Sequence, residues 1–368
     1  MIERLKIEYE GCIAEVSTFM TGDGPKEYHL MFHPTVSACF EEQYCNIKKA
    51  LSEYIAGLSD SATAVFMRWF LSDAANQQKL VEADDYGCTV SIIEQPPLDG
   101  NKLSLWVYLA EGASVKKADD GVWEVDFLNT RHLWTAKEHR YEGDSEKQAW
   151  NIFEDYSGVL DRRGCKLKDN CIRTWIFVQN IDVNYSGVVK GRRELFTKEG
   201  LTPDTHYIAS TGIAGRIADT GSSMVMDTYA IKDIASEHIH FLKGATHLNP
   251  THEYGVTFER GTVVDFADRK HVFISGTASI NNKGEVVHPG DICGQTERMI
   301  ENVEVLLKEA ACSTEDIMQI IVYLRDISDY RTVAGLFEKK FPNQPKTIHW
   351  APVCRPGWLV EMECIAIS

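Results

Sequence analysis

The sequence predicts an α+β protein built from three tandem units of one pattern, β-β-α-β-α-β-β. The motif E-x-x-x-x-N-[IV] occurs three times, at Glu41–Ile47, Glu146–Ile152 and Glu297–Val303. Each copy opens a stretch whose apolar residues recur at helical spacing. Downstream of each helix comes an apolar strand that ends in a polar residue, then a second helix and two further apolar runs. Three copies in one element order indicate a genuine internal repeat.

The units are placed at residues 1–115, 116–235 and 236–368. The strands after the first helices end at Asp73, Asn180 and Asp326, and the second helices are expected near 74–83, 185–199 and 328–340. Strand-like runs precede each first helix, such as IAEVSTFM with EYHLMF in the first unit. The last two runs of each unit are joined by turn residues, which predicts a β-hairpin. In the third unit these runs are TIHWAPV and WLVEMECIAI, joined at CRPG.

Composition bounds the class of protein. A chain of 368 residues exceeds one ordinary core, and its net charge of −16 argues against nucleic acid, because phosphate contacts need a basic face. The ten cysteines show no C-x-x-C spacing, so neither zinc nor a disulfide framework is indicated. The first residues, MIERLKIEYEG, carry charges where a signal peptide is apolar, and no run approaches membrane-spanning length. We expect a cytoplasmic protein without membrane contact.

Glu361 is the unusual residue of the last apolar run. Strand alternation places it with Leu359 and Glu363 on one face, opposite Val360 and Met362. Such a carboxyl lies either on a solvated face or in a closed cavity, where desolvation raises its pKa and makes it a proton donor. Aligning the first and third units without gaps places Leu105 at the Glu361 position, and the second unit carries Met224–Met226 there. Because the counterparts are apolar, we expect Glu361 to point into a closed space.

The last third of the chain resembles the RidA/YjgF family of trimeric imine deaminases. The resemblance rests on SGTASI (275–280), GQTERMIENVEVLL, YLRDISDY and the C-terminal VEME. It implies a six-stranded, chorismate mutase-like sheet backed by two helices, with active sites between neighbouring units. Three such units in one chain would then form an intrachain pseudo-trimer. The family has an arginine that grips the substrate carboxylate where this chain has Lys346, and lysine loses the bidentate fork.

The last two thirds of the chain also resemble the chorismatase family. The shared segments are RTWIFVQNI (173–181), KGRRELF (190–196), YIASTGIAG (207–215), NPTHEYGVTFERG (249–261) and A-P-V-C-R followed by L-V-E-M-E. In chorismatases a similar segment carries a cysteine and an arginine, with a glutamate seven residues after the cysteine. Cys354, Arg355 and Glu361 have that spacing here. The first 110 or so residues share only the fold pattern.

The chorismatase resemblance implies cleavage of the enolpyruvyl ether of chorismate or a close analogue. The products would be pyruvate plus 3-hydroxybenzoate or a dihydroxycyclohexadiene carboxylate. Glu361 is the expected general acid, and Cys354, a thiol without a base partner, is expected to steer the product rather than attack it. No metal or organic cofactor is required. The residues expected to hold the substrate carboxylates are Arg355, Arg193, Arg173, Arg260, Lys346, Tyr207, Tyr254, Thr211, Gly212, Gly276 and Thr277.

Two other functions stay open. One is a RidA-type hydrolase of enamines or imines, with Lys346 in place of the arginine. The other is a non-catalytic protein that binds small ligands, in which Glu361 would be solvated or held in a salt bridge. In each case the expected partner is a small anionic metabolite, and further self-association is open.

Overall fold

The computed structural model describes residues 1–22, 24–58 and 61–368, with Tyr254 described by its backbone alone. The described residues form three six-stranded sheets, one from each unit. The elements of the first unit are β1 (Ile2–Tyr9), β2 (Cys12–Phe19), β3 (Glu27–Pro34), α1 (Phe40–Ala56), β4 (Ala62–Leu71), α2 (Ala74–Glu82), β5 (Thr89–Glu94) and β6 (Leu103–Glu111).

The second and third units repeat this order. The second consists of β7 (Ser114–Lys117), β8 (Trp123–Phe127), β9 (Thr130–His139), α3 (Ser145–Asp161), α4 (Leu167–Asn170), β10 (Cys171–Val178), α5 (Ile181–Lys198), β11 (Ala209–Ala214) and β12 (Met224–Lys232). The third consists of β13 (Ile239–Leu242), β14 (Gly261–Asp265), β15 (Lys270–Ala278), α6 (Ile292–Glu309), β16 (Ile317–Leu324), α7 (Tyr330–Lys340), β17 (Lys346–Trp350) and β18 (Val360–Ile367).

The fold class and the threefold repeat are confirmed, with one strand more per unit than the pattern predicts. The additional strand precedes the first helix, so that three strands instead of two come before α1, α3 and α6. In the first unit this strand is β1, at the sheet edge, where its side chains are exposed or only partly buried. A strand that packs so little apolar surface gives a weak sequence signal.

The predicted closing hairpins are wrong. The strand order of the third sheet is β13-β14-β15-β18-β16-β17, so β16 separates the two strands that were expected to pair. β17 runs parallel to β16, whereas β18 lies antiparallel between β15 and β16. The helix α7 makes the crossover that a parallel pair requires. The other two sheets have the equivalent arrangement around β4 and β10.

The repeated motif has a structural role in the third unit. Its Asn302 is fully buried on α6 and donates from Nδ2 to the backbone oxygens of Ala278 (3.0 Å) and Ile280 (3.1 Å). These bonds attach the helix to the end of β15. At its N-terminus, α6 is capped by Asp291, whose side chain accepts from the Gly294 amide.

The three units pack around one shared core and follow each other in a ring. Aromatic residues from the first and second units meet there, with the Phe66 ring 5.1 Å from those of Trp106 and Trp134. The segment before β6 bonds to β17, since the Leu98 amide donates to Ile348 O, and the Ala214 amide of β11 donates to Pro352 O before β18. At each boundary, the strand that follows the second helix of one unit (β5, β11 or β17) therefore contacts the loop before the last strand of the next unit. None of the helices that the structure describes is long and apolar enough to cross a membrane.

Candidate active site

Glu361 lies in the middle of the sheet at the boundary between the second and third units. On β18 it is paired with Tyr323 of β16 and Ala278 of β15. The residue is 4% exposed, and its carboxyl group occupies the space above Gly276. A Cβ at position 276 would collide with Oε1 of Glu361. A glycine at the irregular point of β15 therefore makes room for the carboxyl group.

The strand pairing in the three sheets shows which residues are equivalent to Glu361 in the other two units. Glu361 is paired with Tyr323, and the equivalent aromatic residues Phe70 and Phe177 are paired with Ser104 and Val225. The predicted match with Leu105 is therefore wrong by one residue. The connection before β18 is one residue longer than the one before β6, and a shift of one residue exchanges the faces of a strand. Among the three equivalent positions, Glu361 alone carries a carboxyl group.

A narrow cleft opens in front of Glu361, and the volume inside it that can hold the centres of water molecules is about 20 Å³. The second unit contributes residues from α5 and β11, and the third unit contributes β15, β18 and the loop that carries Cys354. Its polar wall holds three arginines among the described residues, against the single carboxyl group of Glu361. The side chains and glycines that line the polar part are Tyr185, Arg192, Ser210, Gly212, Arg260, Gly276, Cys354, Arg355 and Glu361.

Burial sets the protonation state of this cleft. Desolvation, followed by the negative charge of Glu363, raises the pKa of Glu361 to about 8, although Arg173 and Arg260 oppose the shift. Glu361 is therefore largely protonated at pH 7. Desolvation and the neighbouring Glu361 also raise the pKa of the Cys354 thiol to about 12. Cys354 is held as a thiol, which is a poor nucleophile.

A second buried glutamate stands behind the first and stays ion-paired. Glu363 is 1% exposed, and its Oε2 lies 2.7 Å from Nη2 of Arg173. Its Oε1 accepts from Nε1 of Trp175 at 2.9 Å, and Thr211 also bonds to the carboxylate. Desolvation lowers the pKa of Arg173, partly offset by Glu363. A paired, hydrogen-bonded carboxylate two residues along β18 adds a fixed negative charge behind Glu361.

Six of the predicted residues meet in the cleft. They are Glu361, Cys354, Arg355, Arg260, Gly212 and Gly276. The exposed Arg355 extends over the ring of Trp358, with 5.5 Å from its guanidinium carbon to the ring centroid. Arg260 is buried and donates from Nη2 to the backbone oxygen of Asn249 at 2.9 Å.

Three more predicted residues lie behind the cleft wall. Arg173 is 1% exposed and donates from Nη1 to Ser275 Oγ at 3.2 Å, besides its ion pair with Glu363. Thr211 accepts from the Gly276 amide at 2.9 Å through its hydroxyl oxygen. The hydroxyl of Thr277 donates to Ser275 O at 2.9 Å. These groups hold the backbone on which the glycines lie.

The structure places the remaining predicted residues elsewhere. Arg193 lies on the solvent face of α5 and bonds to the Gly255 oxygen, and Tyr207 lines a neighbouring cavity. Lys346 belongs to a different cleft, between the third and first units, where its Nζ lies 3.0 Å from Oε1 of Glu338. In the Glu361 cleft the strand position equivalent to Lys346 is Ser210, as the ladders to β16 and β10 show. The side chain of Tyr254 lies outside the described residues.

Sequence reasoning missed Tyr185, Arg192 and Ser210 as neighbours of Glu361. It placed Glu363 on the same strand face but assigned it no role. Arg192 stands one residue before the predicted Arg193 and is 3% exposed, with its Nε 3.1 Å from Thr257 Oγ1. The hydroxyl of Tyr185 bonds to the Cys354 thiol. The spacing of buried residues on α5 contained the signal for Arg192, because Val188, Arg192 and Leu195 share one helix face. In the part of the chain that the structure covers, no group of His, Cys, Asp or Glu residues is arranged to hold a metal ion.

Comparisons with known proteins assign the third unit to a family. Residues 262–368 match the family model described as Endoribonuclease L-PSP. A RutC family protein of Pyrococcus abyssi is 35% identical over 98 residues, which cover 26% of this chain and 76% of that protein. The 3-aminoacrylate deaminase RutC of Acinetobacter baylyi is 28% identical over 97 residues, 26% of this chain and 77% of that protein. The chain therefore belongs to the RutC family through its C-terminal unit.

The fold of the whole chain is that of a known protein of similar length. A crystal structure of chorismatase superimposes with a TM-score of 0.68 and 17% identity, covering 94% of this chain and all of the other. At this identity the match shows the fold, and it extends over all three units. The two resemblances seen in the sequence are thereby confirmed, one for the last unit and one for the complete architecture.

Proposed function

We propose that this protein cleaves the enolpyruvyl ether of chorismate or a close analogue, with Glu361 as the general acid. The observation that carries the proposal is a buried carboxyl with a pKa of about 8 at the end of an arginine-lined cleft. A carboxylic acid that is still protonated at neutral pH can give its proton to carbon. The similarity to chorismatase in fold supports the choice of substrate class.

The reaction needs one proton donor and cations for two carboxylates. Glu361 protonates the methylene carbon of the enol ether, which leaves an oxocarbenium-like centre on the adjacent carbon. Water adds there and the hemiketal breaks down to pyruvate and a dihydroxycyclohexadiene carboxylate. Alternatively, the neighbouring ring hydroxyl displaces pyruvate from the ring carbon and loses its proton, which forms an epoxide. Opening of the epoxide at the carbon that first carried the hydroxyl, with loss of the ring proton from the other carbon, gives 3-hydroxybenzoate without net consumption of water. Arg192, Arg260 and Arg355 line the cleft and are proposed to bind the carboxylates.

Cys354 is proposed to steer the product branch. Its thiol bonds to the Tyr185 hydroxyl at the cleft wall and stays protonated at neutral pH. A small, neutral side chain of this kind controls whether water reaches the oxocarbenium-like centre. Cys354→Ser and Cys354→Ala are expected to change the ratio of the two products more than the total pyruvate released.

The proposal is tested by incubating the protein with chorismate under anaerobic conditions. Pyruvate release and the ultraviolet spectrum of the mixture are measured over time. We expect pyruvate from the wild type and a loss of at least about 100-fold in Glu361→Gln, since removing a general acid costs 10²–10⁴-fold. Glu138→Gln is the matched control, because burial also raises the pKa of Glu138, which lines a different cleft. Wild-type protein that is folded but releases no pyruvate contradicts the proposal.

A second candidate is hydrolysis of an enamine such as 3-aminoacrylate, which the RutC relative is named for. The same acid would protonate the enamine carbon, and ammonia would be released. Imine deaminases are expected to bind the substrate with an arginine, and the third unit has Lys346 at the position of that arginine. In the Glu361 cleft, the equivalent strand position belongs to the second unit and holds Ser210. We therefore place this reaction second. Release of ammonia from 3-aminoacrylate, with no pyruvate from chorismate, would reverse the order.

A further inference from the structure

A larger cavity lies beside the Glu361 cleft and takes no part in the reaction proposed above. The volume inside it that can hold the centres of water molecules is about 480 Å³. The walls come from the segment after α5 (residues 202–207), from β13 with its following loop, and from residues 248–252. The two cavities have Arg260 in common.

One wall of this cavity is aromatic. The rings of His206 and Phe241 are stacked, with 4.1 Å between centroids and 16° between planes, and both are partly buried. Burial lowers the pKa of His206, so its ring is neutral at pH 7. Ile239 and Leu248 extend the apolar surface around the two rings. A flat ring has a complementary surface here.

The polar wall of the cavity is positively charged, in a chain whose net charge is −16. Lys243 and Arg260 contribute permanent charges. Glu259 is the one carboxyl group among the described lining residues. Its Oε1 accepts from the Tyr207 amide at 2.8 Å, and desolvation raises its pKa. A local cluster of this sign attracts a small anion to an otherwise acidic protein.

Arg260 is fixed in the position that joins the two cavities. Its Nη2 donates to the backbone oxygen of Asn249 at 2.9 Å and reaches Asn249 Oδ1 at 3.3 Å. Its guanidinium carbon lies 5.3 Å from the centroid of the Phe258 ring. The residue is 4% exposed, so its charge acts in a region of reduced solvent screening.

We propose that this cavity is a second binding site, and that its ligand is a planar ring bearing a carboxylate. The ring packs against His206 and Phe241, and the carboxylate faces Lys243 and Arg260. The ligand class follows from the cavity wall alone. The further statement that this site binds the ring acid released from the neighbouring Glu361 cleft rests on the proposed function.

Calorimetric titration with 3-hydroxybenzoate tests this site. The protein used is Glu361→Gln, which keeps both cavities and suppresses turnover. We expect Phe241→Ala in this background to weaken binding about fivefold by removing the stacked ring. We expect Lys243→Gln to weaken it about threefold at low salt, with the difference shrinking as salt is added. Cyclohexanecarboxylate, which has the charge without the flat ring, binds more weakly than benzoate.

Arg355→Gln is the matched control, since Arg355 lines the other cleft. Binding that survives Arg355→Gln but weakens in Phe241→Ala and Lys243→Gln supports the second site. Binding that is lost in Arg355→Gln and unchanged in the other two variants overturns it. If Phe241→Ala does not fold, the site is tested by Lys243→Gln and by the comparison of benzoate with cyclohexanecarboxylate. Absence of pyruvate release from chorismate would contradict the proposed function and leave this titration unaffected.

Discussion

At the scale of single residues, three equivalent strand positions hold Ser104, Val225 and Glu361. Glu361 lies above Gly276 and close to the ion-paired carboxylate of Glu363, and these surroundings disfavour a negative charge on Glu361. The burial of Glu361 was predicted from the apolar character of its assumed counterparts in the other two units, although the counterpart in the first unit is Ser104 and not Leu105. The sequence did not predict the role of Glu363, because alternation alone treats both glutamates alike, and the partners of Glu363 come from the second unit.

Protonation of Glu361 makes stability depend on pH. Its pKa is about 8 in the folded state and 4.5 for an ordinary glutamate. Between these values the native state binds a proton that the unfolded state lacks, so stability falls as pH rises. We expect the free energy of unfolding of the wild type, minus that of Glu361→Gln, to fall by up to about 1.4 kcal/mol per pH unit across this window. Urea denaturation at several pH values measures it, and a flat difference contradicts the assigned pKa.

Gly276 offers a test of the space that the carboxyl group occupies. Gly276→Ala places a methyl group against Oε1 of Glu361 and is expected to lower pyruvate release at least tenfold. Gly335→Ala is the matched control, because nothing lies within 4 Å of the added methyl group on α7. That variant is expected to raise stability by about 0.5–1 kcal/mol and to keep its activity. Equal activity of both variants would show that the carboxyl group lies elsewhere.

At the scale of elements, periodicity predicted the helices well and turn chemistry misled the strand pairing. The helices α1, α3 and α6 begin close to the repeated motif, as expected. The Pro-Gly turn before β18 favours a hairpin locally, yet the strand before it pairs in parallel with β16. Pairing across a helical crossover depends on contacts distant in sequence, which short-range signals do not contain.

Two neighbouring arginines of the helix α5, Arg192 and Arg193, have different surroundings, and the sequence analysis chose the wrong one. One residue corresponds to about 100° of rotation, so Arg192 enters the cleft whereas Arg193 faces solvent. We expect Arg192→Ala to lower kcat/KM for chorismate at least about tenfold, the loss of a charged hydrogen bond to substrate. Arg193→Ala is expected to change it less than about twofold. Steady-state kinetics of both variants measure this, and the reverse order would contradict the placement of α5.

At the scale of the whole molecule, charged groups from all three units meet in the interior. Nη2 of Arg68 lies 2.9 Å from Oδ2 of Asp227, and its Nη1 lies 3.9 Å from Oε1 of Glu363, which is paired with Arg173. The four residues are at most 1% exposed. Buried charges of this kind specify which units face each other, and removing one leaves its partner unpaired.

This arrangement makes Arg68 important for stability, although it does not line the Glu361 cleft. Arg68→Met leaves the carboxylate of Asp227 without its ion-pair partner and is expected to cost about 3–5 kcal/mol. Lys190→Met removes an exposed pair with Glu146 and is expected to cost less than about 0.5 kcal/mol. The midpoints of urea denaturation compare the two. Equal midpoints would mean that the interior charges do not hold the units together.

The location of the active cleft is also a property of the whole molecule. Three equivalent boundaries exist, and the sequence did not reveal which unit faces Glu361. Lys346 and Ser210 occupy equivalent strand positions, but the ring order brings Ser210 to the acid. The sequence of the third unit therefore predicted the buried carboxyl group of Glu361 and named Gly276 as a site residue, whereas the residues contributed by the neighbouring unit required the structure.

The pH dependence of pyruvate release from chorismate tests the central claim most directly. If Glu361 is the proton donor, the rate is constant below pH 8 and falls about tenfold per pH unit above it, as the carboxyl group with its pKa near 8 loses the proton. Glu138→Gln is expected to follow the same profile, and Glu361→Gln to release little pyruvate at any pH. A rate that rises through pH 8, or persists in Glu361→Gln, would contradict the assignment of Glu361 as the acid.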